Sequence, residues 1–299
     1  MSKPPDPLDT LRFHNPLITP RGIQLVNDLK QNPHAPRFNH VAGDRLFAND
    51  LDAIDAYRAS LAAARVPMDK CPPQDMLLRI EQAIRQVPLF RQQVSADLDL
   101  ARDWEHIPTT SREDIAVRPE MLVPDDADVE QLIVYRTAGT TGHALLVPHH
   151  PRAAACYQPL LEHAMGLYGI HIDFDPAEVA CFLVGAQART VTYPTVLSAW
   201  NGAGFAKLNL REHEWPAAES PARYFAAFRP RLLTGDPISY AEMLRMGIEG
   251  RPEAMFSTAV AMSHNLKSRL EQVYSCPVID LYSLTETGPI ACWDPGGDG

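Results

Sequence analysis

The sequence has no apolar run of about 18 residues or more, so no segment is expected to cross a membrane as a helix. Its first residues, MSKPPDPLDT, lack the apolar stretch of a secretory leader, and a cytoplasmic location is expected. There is no Lys/Arg cluster and no long block of like charge. The 27 basic and 37 acidic residues leave a net charge of −10. Nucleic acid is therefore not an expected partner, because phosphate backbones are held by basic patches. The five cysteines, Cys71, Cys156, Cys181, Cys276 and Cys292, include no CxxC pair, and an odd count fits reduced, mostly buried thiols. His149 and His150 are adjacent, but no carboxylate or cysteine follows at ligand spacing, so no metal site is expected there. No GxSxG elbow, internal repeat or low-complexity segment is present.

What the chain does have is length and proline. Its 299 residues, 45% of them apolar, can bury a large core as one big α/β domain or two smaller ones. The prolines punctuate elements instead of clustering. Residues 1 to about 50 are rich in Pro and Asn with poor periodicity, and read as an extended arm. NDLDAIDAYRASLAAA reads as a helix capped by Asn49 or Asp50, with Leu51, Ile54, Arg58 and Leu61 on one face. QDMLLRIEQAIRQVP is a second helix, ended at Pro88, with Leu77, Ile80, Ile84 and Val87 at helical spacing. PTTSREDIAVRPE carries a capping-box pattern, Thr110 with Glu113. From about residue 130, short β-rich runs alternate with helices: QLIVYRT, ALLVPH, EVACFLVG, FAKLNL, PRLLTG, MFSTAVAM and PVIDLYS. Ser220 followed by Pro221 reads as a cap and first helical residue, and Leu266, Leu270 and Val273 fall on one face of a later helix. Near-continuous apolar strands between helices predict a buried, mostly parallel sheet.

Two polar stretches stand out. In YRTAGTTGHALLV, residues 135–147, a turn rich in Thr and Gly joins two strands. Gly139 and Gly142 free the backbone, and Thr137, Thr140 and Thr141 add hydroxyls, a composition that suits phosphate oxygens. It suits a plain β-hairpin equally well. It is not the common P-loop, since His143 and not Lys follows the second glycine. The second stretch, VIDLYSLTETGPI, is a strand leading into a polar turn. Ligands gather at the carboxyl ends of parallel strands, so Glu286 there could hold Mg2+ and Tyr282 could lie flat on a base. A solvated strand end with an unrelated glutamate is the competing reading.

Taken together, the two stretches resemble the phosphate loop and the Y-G-x-T-E motif of the adenylate-forming (AMP-forming) ligase superfamily. The phenylacetate–CoA ligase branch is the most similar. The resemblance extends over most of the chain from about residue 75, through LLRIEQAIRQVPLFRQQV, IPTTSREDI, LLTGDPISYAEML and AMSHNLKSRLEQVYSCPVIDLYSLTETGP. It implies the layered parallel-sheet core of that superfamily's large domain. Residues 1–125 would form its arm and helical part, and residues 126–299 its nucleotide- and acid-binding core. It implies ATP-dependent activation of a small carboxylic acid, aryl by default, as acyl-AMP. Transfer to coenzyme A or a carrier-protein thiol would follow. By matching position, Thr137, Gly139, Thr140, Thr141 and Gly142 would hold the ATP phosphates. Ser263, His264, Asp280 and Tyr282 would surround adenine, with Tyr282 stacking and Asp280 accepting from the amino group. Thr285 would touch the α-phosphate and Glu286 would carry Mg2+, these two being the catalytic pair. Gly185, Ala186, Arg189 and Tyr193 would line the acid pocket. A homodimer is the family's habit.

The sequence departs from the family at several points. His143-Ala144-Leu145 replaces a basic run, Ser283 replaces the glycine after the tyrosine, and AMSHN replaces GGEPL. The chain stops at WDPGGDG, soon after the glutamate motif, whereas the family continues into a ribose-binding Asp and a mobile lid with a catalytic Lys. A fragment, a lid supplied by a partner, or a remnant would each explain this. A lidless core is expected to bind nucleotide but adenylate poorly. A non-catalytic nucleotide-binding or assembly module on the same fold is the alternative function.

Overall fold

The computed structural model describes residues 6–63, 72–95, 97–137 and 145–296. The chain forms two compact units, Met1–Ala62 together with Ala154–Gly299, and Ala63–Ala153.

The first unit opens with helices where the composition suggests an extended arm: α1 (Pro7–His14), α2 (Pro20–Gln31) and α3 (Ala48–Ala63). The cause lies in two cap-then-proline signals masked by the Pro- and Asn-rich composition. Asp6 accepts from the Leu8 N–H at 2.8 Å, Thr19 accepts from the Gly22 N–H at 3.1 Å, and a proline follows each cap. Helix α2 then buries Leu25, Val26 and Leu29. Helix α3 begins one residue ahead of the expected caps. Asp50 sits in its first turn and reaches back to accept from the Phe47 N–H at 3.0 Å. Ile54 is fully buried beside Leu46 and Ala155, with Leu51 packed on them.

The second unit holds α4 (Gln74–Gln86), α5 (Pro88–Gln93), α6 (Leu100–Asp103), α7 (Arg112–Val117) and a hairpin of β1 (Ile133–Arg136) and β2 (Leu146–His149). The capping box lies one residue past the expected pair. Ser111 accepts from the Asp114 N–H at 3.2 Å, and Asp114 accepts from the Ser111 N–H at 2.8 Å. Serine outranks threonine as a cap, so Ser111 takes the position and Thr110–Glu113 does not.

The chain then runs through α8 (Pro151–Ala155) and α9 (Tyr157–Leu167) into a seven-stranded sheet within the first unit. Its elements are β3 (Val179–Gly185), β4 (Tyr193–Leu197), β5 (Ala203–Asn209), α10 (Ser220–Phe228), β6 (Leu232–Gly235), α11 (Pro237–Arg245), β7 (Ala254–Ser257), α12 (His264–Tyr274), β8 (Val278–Leu284) and β9 (Gly288–Cys292). The spatial order is β4-β5-β3-β6-β7-β8-β9. The neighbours from β5 to β8 are parallel, and β4 and β9 are antiparallel edge strands. The expected mostly parallel α/β sheet is present. Both edge strands escaped the sequence reading because each is dense in proline, glycine or threonine. Ser220 is the first helical residue of α10 and not its cap, which is Glu219.

The sheet is apolar on both faces. One face carries Phe182, Val184, Leu208, Leu233, Met255 and Val278 against α2, α10, α11 and α12. The other carries Cys181, Leu232, Phe256, Ile279 and Leu281 beneath Ala164 and Met165 of α9. Two buried faces explain why the strands read as continuous apolar runs. Among the described residues no helix is long and apolar enough to cross a membrane.

Candidate functional site

The carboxyl edge of the sheet follows from strand direction. Strands β3, β5, β6 and β7 run parallel and end at Gly185, Asn209, Gly235 and Ser257. A crossover helix returns antiparallel to its strands, which puts the first residues of α12 at this edge. Ser263 caps α12, its hydroxyl accepting from the Leu266 N–H at 3.4 Å, and His264 follows it, exposed. In β8, Val278 packs in the cluster that holds Leu270 and Tyr274 of α12. Side chains alternate along a strand, so Asp280 and Tyr282 share that face. Asp280 is half-buried in register with Ser257, and Tyr282 is 61% exposed. The four residues expected around adenine thus lie on the α12 side of one sheet edge, carried by α12 with its cap and by β8. Ile279, which precedes Asp280 in the strand, points to the opposite face, into the core beneath α9.

Thr285 and Glu286 follow in the turn between β8 and β9, both half-buried. Glu286 makes no ion pair among the described residues. A single carboxylate suits Mg2+, which is usually held by one or two carboxylates together with substrate phosphates. No group of three or more His, Cys, Asp or Glu side chains gathers as a ligand set among the described residues. The turn closes at Gly288, whose φ is +80°. A Cβ there would also lie 3.2 Å from the Tyr157 ring, so both backbone and space call for glycine.

The hairpin belongs to the second unit. Thr137 ties its strands together beside the turn: its N–H donates to the Leu145 carbonyl at 3.0 Å, and its hydroxyl accepts from the Leu145 N–H at 3.1 Å. The stretch does join two antiparallel strands, with Tyr135 paired to Val147. Gly139, Thr140, Thr141, Gly142 and His143 lie outside the described residues.

Of the residues expected to line an acid pocket, Gly185 ends β3 and Ala186 follows it, half-buried. A Cβ built on Gly185 would meet only the Leu208 carbonyl, at 3.8 Å, so the space above it is open. Arg189 is exposed, with no acidic partner among the described residues. Tyr193 is half-buried, its ring 6.2 Å from both His40 and Phe205. It also pairs across the sheet with Lys207. Sequence reasoning passed over Lys207 and Asn209. Lys207 is half-buried, and burial pushes its amine below the usual lysine range. Asn209 is fully buried; its Nδ2 donates to the Gln187 carbonyl at 3.0 Å and its Oδ1 has no partner among the described residues. The available clue was a lysine alternating with apolar residues in FAKLNL.

No protein-family model matches the chain, and no curated protein matches it. Solved structures do. A 2-hydroxyisobutyryl-CoA ligase, solved in an open conformation with 2-HIB-AMP and CoA, is 14% identical with a TM-score of 0.48. The match covers 70% of this chain and 48% of that one. An anthranilate CoA ligase in complex with anthranoyl-AMP is 16% identical over 58% of this chain and 33% of that one, with a TM-score of 0.36. An acyl-CoA synthetase (AMP-forming)/AMP-acid ligase II-like protein from Dyadobacter fermentans is 13% identical over 54% and 43%, with a TM-score of 0.34. The chain spans about half the length of the first of these and less of the other two.

Proposed function

We propose that this chain carries the nucleotide- and acid-binding part of an AMP-forming acid ligase. The reaction joins a carboxylic acid to the α-phosphate of ATP, releases pyrophosphate, and hands the acyl group to coenzyme A or another thiol. The observation that carries the reading is the gathering of Ser263, His264, Asp280 and Tyr282 on one side of one sheet edge, with Glu286, unpaired among the described residues, in the next turn.

The chemistry asks little of a protein nucleophile. Carboxylate attack on phosphorus brings two anions together, so the site must supply donors and neutralise charge. Tyr282, exposed near the strand end, offers a stacking face to adenine. Asp280 accepts from the adenine amino group, and Thr285 donates to an α-phosphate oxygen. Glu286 is the residue that would hold Mg2+, whose charge offsets that of the phosphates when bound.

Calorimetry of Mg·ATP binding tests this, on the native chain and on Glu286→Gln and Tyr282→Ala. Each substitution is expected to weaken binding about tenfold or more, the weight of one charge-assisted contact or one stacked base. Absence of binding to a folded native chain would refute the reading. A second reading, a nucleotide-binding module without catalysis, draws on Ser283 and the AMSHN segment at the adenine edge. Acid-dependent pyrophosphate exchange with a supplied lid domain separates the two, since the module would bind ATP and exchange nothing.

A further inference from the structure

We propose, resting on the acid-ligase reading, that Lys207, beside Asn209, lines the distal end of the acid subsite and selects a dicarboxylic acid. Both side chains leave the same face of β5, two residues apart, and both lie at its carboxyl end. The strands on either side complete the setting. Antiparallel β4 puts Tyr193 opposite Lys207, and parallel β3 puts Gly185, with its open space, opposite Asn209. Phe205, two residues before Lys207, packs against the core beneath α9 and gives the site an apolar floor.

The electrostatics call for an anion. A half-buried ammonium loses hydration and normally recovers it through a carboxylate partner. Lys207 has no such partner among the described residues, and its amine is held below the usual range by burial. Methionine would fill the same volume at no electrostatic cost. Asn209 beside it leaves an acceptor, Oδ1, without a donor among the described residues; a carboxylate cannot supply that donor, so the anion is recognised by the Lys207 ammonium.

Position decides which anion. Strands β3, β6 and β7 lie between β5 and β8, so Lys207 stands four strand spacings, about 19 Å, from the strand that leads to Thr285 and Glu286. It also stands on the α9 face, whereas Asp280 and Tyr282 stand on the α12 face. Lys207 is therefore too far to touch the carboxylate that attacks phosphorus. The lysine stem covers about 6 Å of the span, and the acid and the phosphate it attacks share the rest across the strand ends. An extended acid can thus place a second carboxylate at Lys207.

The test is calorimetric, with glutarate, adipate and suberate against the matched monoacids pentanoate, hexanoate and octanoate. The native chain is expected to bind at least one diacid about tenfold or more tightly than its monoacid, the weight of one charge-assisted contact. Lys207→Met should abolish that preference, and Lys207→Arg should keep part of it. No preference in the native chain, or a preference that survives Lys207→Met in a folded protein, would overturn the proposal and leave Lys207 as a lysine that extends to water along its stem. Mg·ATP binding on the same samples keeps the two readings apart. Diacid selection without ATP binding would sink adenylation and leave the Lys207 site standing. ATP binding without diacid selection would do the reverse.

Discussion

Replacing Gly43 with alanine should be among the most damaging single changes in this chain. The added Cβ would lie 2.1 Å from the His14 carbonyl oxygen and 2.5 Å from Cγ and Nδ2 of Asn15. Real Cβ contacts essentially never fall below 3.0 Å, so the His14 carbonyl would have to give by 0.9 Å, the difference between 3.0 and 2.1. Neither neighbour is free to move. The His14 carbonyl accepts from the Arg45 N–H at 3.0 Å. Asn15 is fully buried; it donates to the Leu11 carbonyl at 3.1 Å and accepts from the Thr195 hydroxyl of β4 at 2.7 Å. Overpacking costs about 1–3 kcal/mol. Stripping a buried amide of a partner costs about 1–3 kcal/mol more. A loss of roughly 2–6 kcal/mol is expected, a large part of a typical stability of about 5–15 kcal/mol. Urea unfolding reads it as a lower midpoint at unchanged slope. Gly166→Ala is the control. It lies in α9, its Cβ would meet only His171 at 3.7 Å, and it should gain about 0.5–1 kcal/mol. If Gly43→Ala stayed within about 0.5 kcal/mol of the native chain, the packing of the loop on Asn15 would be wrong.

This loop and the end of α1 on which it packs carry two groups with opposite pH signatures. Asp44 is held above the usual carboxylate range, chiefly by burial, so the folded chain binds its proton more tightly than the unfolded chain does. Its contribution to stability therefore falls as pH rises from about 4 through the folded value, and Asp44→Asn should remove that decline. His14 is held below the usual histidine range, first by burial and then by Arg45 and His40. The unfolded chain takes that proton first, so stability is lost as pH falls below about 6.5, and His14→Gln should flatten this limb. Urea midpoints from about pH 4 to 8 read both slopes; a slope unchanged by its substitution refutes the assignment. Arg58 clamps α3 to α9 and to the turn after β4: it donates to Glu162 at 2.6 Å and to the Ala199 carbonyl at 3.1 Å, while Trp200 donates to the same carboxylate at 2.6 Å. With both charged partners partly exposed, Arg58→Met should cost only about 1–2 kcal/mol after screening. A shift in Trp200 fluorescence should accompany it, and an unchanged urea midpoint would show that the clamp carries no net stability.

What was legible in the sequence depended on how local the cause was. Strands β3, β6, β7 and β8 were readable because burial on two faces writes itself as a continuous apolar run. The stretch around Tyr282 and Glu286 was readable as a strand running into a polar turn because its residues are contiguous. Helices α1 and α2 were hidden although their signals were present, since Thr19 followed by Pro20 is a cap only when the following residues find a sheet to cover. Edge strands β4 and β9 each pair with one neighbour across a short turn, and segments this rich in Pro, Thr and Gly carry no periodicity of their own. The proposed acid end of the site is the extreme case. The one clue near Lys207 in sequence, its place among apolar residues in FAKLNL, fits a surface lysine on an edge equally well. Only the register of β5 between β3 and β4 encloses it and puts Tyr193 and Gly185 beside it, and no carboxylate among the described residues pairs with it. A charge becomes informative when tertiary structure withholds its partner, and that withholding is a property of pairs of segments, which a single pass along the chain does not contain.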